Sequence, residues 1–237
     1  MTTGVHAAEV KAVVSTAMKA SFEEIAVQFE KAGGHKVTAS FGPTGGIAKH
    51  VLDGETLDLV ILGGERVPDL AGKIEPATTG VARSAIGVGV KQGTPKPDIS
   101  SEAAFKAALL AAQGIAVTDP KSGGGSSVFF AKLFETMGLT EALKPKLRYS
   151  AAGPGGYAGT LVTRGEADFA LQPIPELMAV PGIEVVGPLP GAFQNVTTYT
   201  ACIPVSAKNA DVAKALIKAL TAPSAATAYK ARGLEPG

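Results

Sequence analysis

Short apolar runs typical of β-strands alternate with helix-like segments along nearly the whole chain, and this alternation limits the possible folds more than any other feature. Leu57–Leu62 and Ala82–Val90 are almost continuously apolar, as expected for strands that are buried on both faces. Ser21–Ala32, in contrast, has its apolar residues at helical spacing and is followed by two glycines. The pattern predicts an α/β fold with mostly parallel sheets. Further strands are predicted at Val10–Thr16, Lys36–Phe41, Gly114–Thr118, Lys146–Ser150, Asp168–Leu171 and Thr197–Val205, and further helices at Ile47–Leu52, Glu102–Ala112, Ser126–Met137, Tyr157–Arg164, Ala207–Leu220 and after Pro223.

Composition and charge exclude several classes of partner. The 237 residues carry 22 Lys and Arg against 21 Asp and Glu, so the sequence has no strongly basic stretch for a phosphate backbone. Aromatic residues make up only 5%, which leaves few platforms for stacking bases. No apolar run approaches the roughly 20 residues that span a bilayer. We therefore expect neither nucleic-acid binding nor a membrane-spanning segment.

Three corners rich in glycine and hydroxyl residues each connect a predicted strand to a predicted helix. They are SFGPTGGIAK (40–49), DPKSGGGSSVFFAK (119–132) and AAGPGGYAGT (151–160). In an α/β sheet such corners lie at the carboxyl ends of strands, where free N–H groups and the helix dipole favour an anion. Thr44 is expected to cap the helix of the first corner. Any one corner could be only a turn or a cap, but three together predict an anion-binding site.

None of the three corners carries a nucleotide-binding or metal-binding pattern. The P-loop ending is absent, and SGGGSS lacks the acidic residue that completes a dinucleotide fingerprint. His6, His35 and His50 are scattered, and Cys202 has no partner at the spacing of a zinc site. We therefore expect no cofactor and no metal ion, and His50 is interpreted as a surface residue of a helix in preference to a functional one.

The N-terminal stretch TTGVHAAEV resembles the end of a secretory signal peptide, because the small residues Val5 and Ala7 occupy the two positions that a cleavage site requires. The alternative is an ordinary, poorly ordered terminus. We expect an exported, periplasmic protein whose precursor carries a basic and then an apolar segment upstream. The mature chain would then begin near Ala8 or Glu9.

Several longer segments resemble the molybdate-binding proteins of ABC importers, a class of periplasmic solute-binding proteins. The resemblance begins in VVSTAMKASFEEIAVQFEKAGGHKVTASFGPTGGIAKHVLDGETLDLVIL and continues through VARSAIGVGVKQGTPKPDI, GIAVTDPKSGGGSS and VTRGEADFAL to nearly the end of the chain. It implies a two-lobed fold of type II with a ligand cleft between the lobes and no covalent chemistry. Lobe 1 would comprise residues 8–80 and 197–237, and lobe 2 residues 81–196. Two crossover strands would act as hinges, and the protein would be a monomer that delivers a small anion to a membrane importer.

The resemblance also implies which residues contact the ligand. The family's first ligand serine falls on Ala17 and its ligand tyrosine on Pro173, so two hydroxyl donors of the oxyanion pattern are missing, and the third corner is also changed. Arg83 stands where the chain would enter lobe 2, and a guanidinium there could bind a carboxylate through two hydrogen bonds. These differences favour a small organic carboxylate over molybdate. The predicted ligand-binding residues are Ala17, Met18, Pro43, Thr44, Gly45, Arg83, Ser84, Ser122, Gly123, Gly124, Gly125, Ser126, Ser127, Gly155, Gly156, Tyr157 and Gln172.

Two functions remain open at this point. The first is ligand delivery to an importer, and the second is an isomerase of an unsaturated organic acid such as aconitate, as occurs among proteins that resemble this class. An isomerase would need a carboxylate clamp, for which Arg83 is the candidate, and a general base, for which Glu65, His50 and Tyr157 are candidates. Their spacing does not select among them. Arg83 could instead be an exposed arginine paired with an acid, and Glu65 only a favourable partner of a helix dipole. A cytosolic regulator is disfavoured, since no DNA-binding segment is evident.

Overall fold

The computed structural model describes residues 7–122 and 124–237, so Val5, His6 and Gly123 of the predictions above lie outside the described residues. The chain divides into two compact units. Unit 1 contains the chain up to Arg83 together with Thr197–Gly237, and unit 2 contains Ser84–Val196. Within the described residues no helix is both long enough and apolar enough to cross a membrane.

Strands and helices alternate along most of the chain. The strands are β1 Glu9–Ser15, β2 Lys36–Gly42, β3 Leu59–Gly63, β4 Thr79–Lys91, β5 Ile115–Thr118, β6 Leu147–Ser150, β7 Phe169–Pro173, β8 Ile183–Pro188, β9 Val196–Cys202 and β10 Glu235–Pro236. The α-helices are α1 Lys19–Gly33, α2 Thr44–Leu52, α3 Glu102–Ala111, α4 Gly125–Thr136, α5 Thr140–Leu143, α6 Gly159–Thr163, α7 Ile174–Met178, α8 Ala210–Leu220 and α9 Ala225–Lys230. Short 3-10 turns follow β1 at Thr16–Met18 and β3 at Gly64–Leu70.

The sheet of unit 1 is built on three parallel strands. β1 lies between β2 and β3 and is parallel to both, with Ser15 opposite Gly42 and Val14 opposite Ile61. β9 pairs with β3 in the antiparallel direction, and β10 pairs with the start of β4. Along β3, alternate residues enter two separate apolar clusters, Leu59 and Ile61 on one face and Val60 and Leu62 on the other. The nearly continuous apolar run therefore reflects burial on both faces of the sheet.

The sheet of unit 2 combines parallel and antiparallel strands. β5 is parallel to β6 on one side and to β7 on the other, whereas β4 is antiparallel to both β7 and β8. The larger apolar cluster contains Phe105, Phe130 and Phe169, and the smaller one lies under α6 and α7. Three elements of this unit, α5, α7 and β8, are absent from the sequence prediction. α5 and α7 are only four and five residues long, and β8 is half-buried, so none of them has a clear periodic pattern.

The returning C-terminal segment is attached to unit 1 through the buried carboxylate of Asp58. Its Oδ2 accepts a hydrogen bond from the Lys11 N–H at 2.9 Å, and its Oδ1 accepts from the N–H groups of Lys208 and Asn209 at 2.9 and 2.8 Å. Burial alone would raise the pKa of Asp58, but these donors outweigh it and hold the pKa below its ordinary value. One side chain thus connects β1 to the start of α8.

We expect Asp58→Asn to lower the free energy of unfolding by about 2–4 kcal/mol near neutral pH, because the amide loses the charge and presents an NH2 group to backbone donors. The contribution of a carboxylate with a lowered pKa is present above the pKa of the unfolded state and is lost as the pH falls. The difference between wild type and variant should therefore shrink below about pH 4. Urea denaturation of both proteins at several pH values between about 3 and 7 measures this difference in the free energy of unfolding.

Asp53→Asn is the matched control, since Asp53 is exposed just after the end of α2 and its carboxylate pairs with Lys49. It should change the unfolding free energy by less than about 0.5 kcal/mol. An Asp58→Asn protein as stable as this control would show that Asp58 does not hold the returning segment.

Candidate functional site

The parallel strands of unit 1 end together at one edge of the sheet, here called the carboxyl edge of unit 1. β1, β2 and β3 end at Ser15, Gly42 and Gly63, and the register places Ser15 directly opposite Gly42. The residues that follow these ends therefore share the edge. They are the predicted ligand residues Ala17, Met18, Pro43, Thr44 and Gly45, together with the turn that begins at Gly64.

Thr44 has a different structural role from the one that the sequence indicates. It is the first residue of α2, and Pro43 occupies the position before the helix, so the predicted capping role is wrong. Instead its Oγ1 accepts a hydrogen bond from the N–H of Gly63 at 3.2 Å, which joins the first corner to the end of β3. The hydroxyl hydrogen is left for another acceptor. Sequence reasoning could not find this partner because Gly63 lies 19 residues away.

Thr16, which the sequence analysis missed, supplies a hydroxyl at this edge. It is 6% exposed, and its Oγ1 has no hydrogen-bond partner among the described residues. Such a group is rare in a folded protein, since an unpaired buried hydroxyl costs about 1–3 kcal/mol. Thr16 directly precedes Ala17, where the resemblance implies a ligand serine. The hydroxyl missing at Ala17 is therefore available one residue earlier.

The parallel strands of unit 2 form a second carboxyl edge. Thr118 at the end of β5 lies opposite Ser150 at the end of β6, and Gln172 is near the end of β7, the other neighbour of β5. Ser150 is 6% exposed, and within the described part of the chain its Oγ has no partner. Each unit therefore has one buried and unpaired hydroxyl at the edge where an α/β sheet binds its ligand.

The side-chain amide of Gln172 is the most highly connected group at the carboxyl edge of unit 2. Its Oε1 accepts from the N–H of Ala158 at 2.8 Å, and its Nε2 donates to Thr118 Oγ1 at 3.1 Å and to Glu176 Oε2 at 2.9 Å. Because a backbone N–H can only donate, the orientation of the amide is fixed. Gln172 therefore lies at this edge, and its predicted contact with a ligand stays a prediction.

Glu176 is the second residue that the sequence analysis missed. It lies in the first turn of α7, and burial raises its pKa to about 7. None of the ion pairs among the described residues includes it. A carboxyl group with this pKa can hold or release a proton near neutral pH. The available sequence signal was weak, being one acidic residue in the otherwise uncharged stretch Ile174–Met178.

The second glycine corner precedes α4 and keeps two of its hydroxyls internal. Ser122 Oγ donates to the carbonyl of Asp119 at 2.5 Å, and Ser127 Oγ donates to the carbonyl of Gly124 at 2.7 Å. Gly124 is buried and precedes the helix, whose first residues are Gly125 and Ser126. These residues lie just beyond the end of β5, so the corner and the carboxyl edge of unit 2 are adjacent in the chain.

The third corner forms a tight turn ahead of α6. Gly155 has φ of +86°, and a Cβ on Gly156 would lie 2.6 Å from the carbonyl oxygen of Ala151, so both positions require glycine. The helix begins at Gly159, two residues later than predicted. Tyr157 is half-buried next to Ala158, whose N–H contacts Gln172. The turn therefore brings Tyr157 to the carboxyl edge of unit 2.

The remaining candidates make local contacts. The Arg83 side chain is 49% exposed. It donates hydrogen bonds to Glu235 Oε2 at 3.4 Å and to the Pro236 carbonyl at 3.3 Å, so its role as a carboxylate clamp stays a prediction.

Ser84 is buried, and its hydroxyl donates to the Ala85 carbonyl at 3.1 Å. His50 contacts Glu55 at 2.6 Å on the exposed side of α2. Glu65 is exposed at the start of its turn, and its carboxylate folds back over Gly63.

The chain matches the family of bacterial extracellular solute-binding proteins over residues 10–235. It therefore belongs to this family. It is 34% identical to an aconitate isomerase from Pseudomonas sp., and the match covers 91% of this chain and 83% of that protein. It is 29% identical to the molybdate-binding protein ModA of Azotobacter vinelandii, and this match covers 96% of this chain and 90% of that protein.

The fold is also that of solved solute-binding proteins. The periplasmic molybdate-binding protein of Azotobacter vinelandii superposes with a TM-score of 0.76 at 20% sequence identity, and the match covers 96% of this chain and 99% of that one. The predicted α/β, two-lobed periplasmic-binding-protein fold of type II is thereby confirmed. So is the resemblance to the molybdate-binding proteins.

Ser150→Ala should separate ligand binding from stability. If its unpaired hydroxyl is kept for a ligand, its removal relieves a buried polar group and should leave the free energy of unfolding unchanged or raise it by about 1 kcal/mol. The same variant should bind ligand about tenfold more weakly, or ~1.4 kcal/mol. Thr16→Val should behave in the same way in unit 1. Urea denaturation and calorimetric titration measure the two quantities.

Ser100→Ala, at an exposed serine of unit 2 that hydrogen-bonds the exposed Asp98, is the control; it should change the free energy of unfolding by less than about 0.5 kcal/mol and leave ligand binding unchanged. A loss of stability of about 1 kcal/mol or more in Ser150→Ala would mean that the hydroxyl has a structural partner and is not reserved for a ligand.

Proposed function

We propose that this protein binds a small organic carboxylate and acts as an exported, periplasmic solute-binding protein for an ABC importer. The observation that carries the proposal is the pair of buried, unpaired hydroxyls, Thr16 and Ser150, one at each edge. In a folded protein such groups are tolerated where a ligand completes their hydrogen bonds.

The chemistry of the edges favours an anion. Hydroxyl hydrogens of Thr16, Thr44 and Ser150 can be donated to ligand oxygens, and the N-terminal end of α4 adds backbone N–H groups beside the edge of unit 2. These donors are neutral, so they bind an anion by hydrogen bonds and dipoles without a fixed counter-charge. The other residues of the glycine corners, including Gly45, Gly125, Ser126 and Tyr157, are proposed to contact the ligand through backbone groups or hydroxyls.

A carboxylate is favoured over molybdate for two reasons. Pro173 stands where the resemblance implies a ligand tyrosine, so a tetrahedral oxyanion would have one hydroxyl donor fewer, whereas Thr16 offers a hydroxyl in place of the one missing at Ala17. The relative that is 34% identical bears the name of an enzyme whose substrate is a tricarboxylate. Arg83 is retained as the proposed clamp, since its two contacts are long and its side chain is half exposed, so that a ligand carboxylate could replace Glu235.

The transport role is proposed from the family. Extracellular solute-binding proteins of ABC importers capture a ligand by hinge motion and present it to a membrane complex. We propose the same for this chain, acting as a monomer. The chain crosses between its units within β4 and at the start of β9, and these two segments are the proposed hinges.

A second candidate function, isomerisation of an unsaturated organic acid, is supported by Glu176. In such a reaction a base removes a proton from the methylene carbon next to the double bond, the electron pair spreads over the allylic system, and the proton returns to the carbon at its other end. The base should have a pKa near the working pH, and the raised pKa of Glu176 meets this condition. Among the earlier candidates, Tyr157 lies at the same edge, Glu65 lies in the turn at the carboxyl edge of unit 1, and His50 contacts Glu55 on the exposed side of α2.

Calorimetric titration against cis-aconitate, trans-aconitate, molybdate, tungstate and phosphate tests the proposal. We expect a carboxylate to bind at least tenfold more tightly than molybdate, because the hydroxyl missing at Pro173 costs the tetrahedral oxyanion ~1.4 kcal/mol or more. Ultraviolet absorbance of each aconitate isomer over time tests for interconversion. Turnover would support the isomerase, and tight binding without turnover would support transport.

Tight molybdate binding with no carboxylate binding would contradict the proposed ligand class. The same titrations with Arg83→Ala test the clamp, and Arg66→Ala, at another exposed and paired arginine of unit 1, is the control. A carboxylate affinity that is equal in the two variants would remove Arg83 from the proposed site.

A further inference from the structure

The fixed amide of Gln172 determines what Glu176 can do. Because Oε1 of Gln172 is held by the Ala158 N–H, both hydrogens of Nε2 point away from it, one toward Thr118 and one toward Glu176. Oε2 of Glu176 therefore accepts a hydrogen bond in either protonation state, because a protonated carboxyl group can carry its hydrogen on Oε1. The network holds the carboxyl group in place at the carboxyl edge of unit 2 whether or not it is charged.

None of the ion pairs among the described residues includes Glu176. The charged residues of β4, which packs against α7, are Arg83 and Lys91, and Arg83 pairs with Glu235. β5, β7 and α6 contain no charged residue, having the sequences IAVT, FALQP and GTLVT. On β8 the charged residue is Glu184, which pairs with Lys96. In the connecting loops, Asp119 accepts from the backbone N–H of Lys121, and Tyr157 is the titratable residue before Ala158. Desolvation therefore dominates, and it raises the pKa of Glu176 to about 7.

We propose that Glu176 takes up a proton when an anion binds at the carboxyl edge of unit 2, so that ligand affinity is coupled to the protonation of this carboxyl group. The inference rests on the proposed function in that it needs an anion at this edge. A second negative charge near a desolvated carboxylate is unfavourable, and binding the proton removes that repulsion. The proton comes from the buffer, whose acid form loses it as the Glu176 carboxylate becomes a neutral acid.

The direction of the pH dependence follows from this coupling. Below about pH 6 the free protein already carries the proton, so binding takes up none. Above the pKa of the free protein, each binding event takes up as much as one proton, and the affinity falls as the pH rises. Between about pH 6 and about pH 8 we expect the affinity to fall roughly five- to tenfold. The site would thereby retain anions more strongly in mildly acidic surroundings.

Calorimetry in buffers of different ionisation enthalpy measures the number of protons taken up. The probes are trans-aconitate, which carries ionised carboxyl groups at both pH values, and molybdate; protons that the ligand itself exchanges are measured with Glu176→Gln and subtracted. Wild-type protein should take up roughly half to one proton at about pH 8 and almost none at about pH 6. Glu176→Gln keeps the shape and the hydrogen-bonding capacity of the side chain but cannot titrate. It should bind with an affinity that is independent of pH and take up no proton of its own.

Glu184→Gln is the matched control and should behave as wild type, because Glu184, which lies on β8, is paired with Lys96. Proton uptake at about pH 8 that is as large in Glu176→Gln as in wild type would overturn the proposal, and so would wild-type binding with no uptake at about pH 8. The wild-type measurement decides by itself if the variant does not fold. If molybdate binds and trans-aconitate does not, the proposed ligand class fails while molybdate still tests the proton coupling. If neither anion binds, both proposals fail.

Discussion

The parallel pairing of β5 with β6 and β7 is the constraint on which the candidate site of unit 2 depends. Because all three strands point the same way, the side chains at their carboxyl ends come together although they are separated by 54 residues in the chain, as for Thr118 and Gln172. The amide of Gln172 then joins β5, α6 and α7 through three hydrogen bonds. Removing it would leave several buried polar groups unpaired, so the arrangement is held as a unit.

Unit 1 uses the same principle with different residues. Its parallel strands bring Thr16, Thr44 and the Gly63 N–H to one edge, and Thr44 connects two of the three strand ends. Asp58 lies elsewhere in this unit, where it fastens the segment that returns after β9. The unit therefore separates two tasks, with a charged, fully hydrogen-bonded group for stability and neutral, partly unpaired hydroxyls at the edge for binding.

Much of the fold could be predicted from the sequence because burial leaves a strong local pattern. The run Leu57–Leu62 predicts the strand observed at Leu59–Gly63, and the glycine corners mark where the strands end. The site was less predictable because its key interactions join residues that are distant in sequence. Nothing local indicates that Thr44 bonds Gly63, that Ser150 is unpaired, or that Glu176 is desolvated. Arg83 was chosen for its position in the resemblance, and that position gave no sign of its contact with Glu235, which lies far away in the sequence.

The central claim is that the unpaired hydroxyls at the carboxyl edges are reserved for an anion, and a crystal structure of the protein with bound carboxylate or molybdate tests it most directly. The account predicts a ligand oxygen within hydrogen-bonding distance, about 2.5–3.0 Å, of Thr16 Oγ1 or of Ser150 Oγ. A ligand bound elsewhere, with both hydroxyls still unpaired or turned toward protein groups, would contradict it.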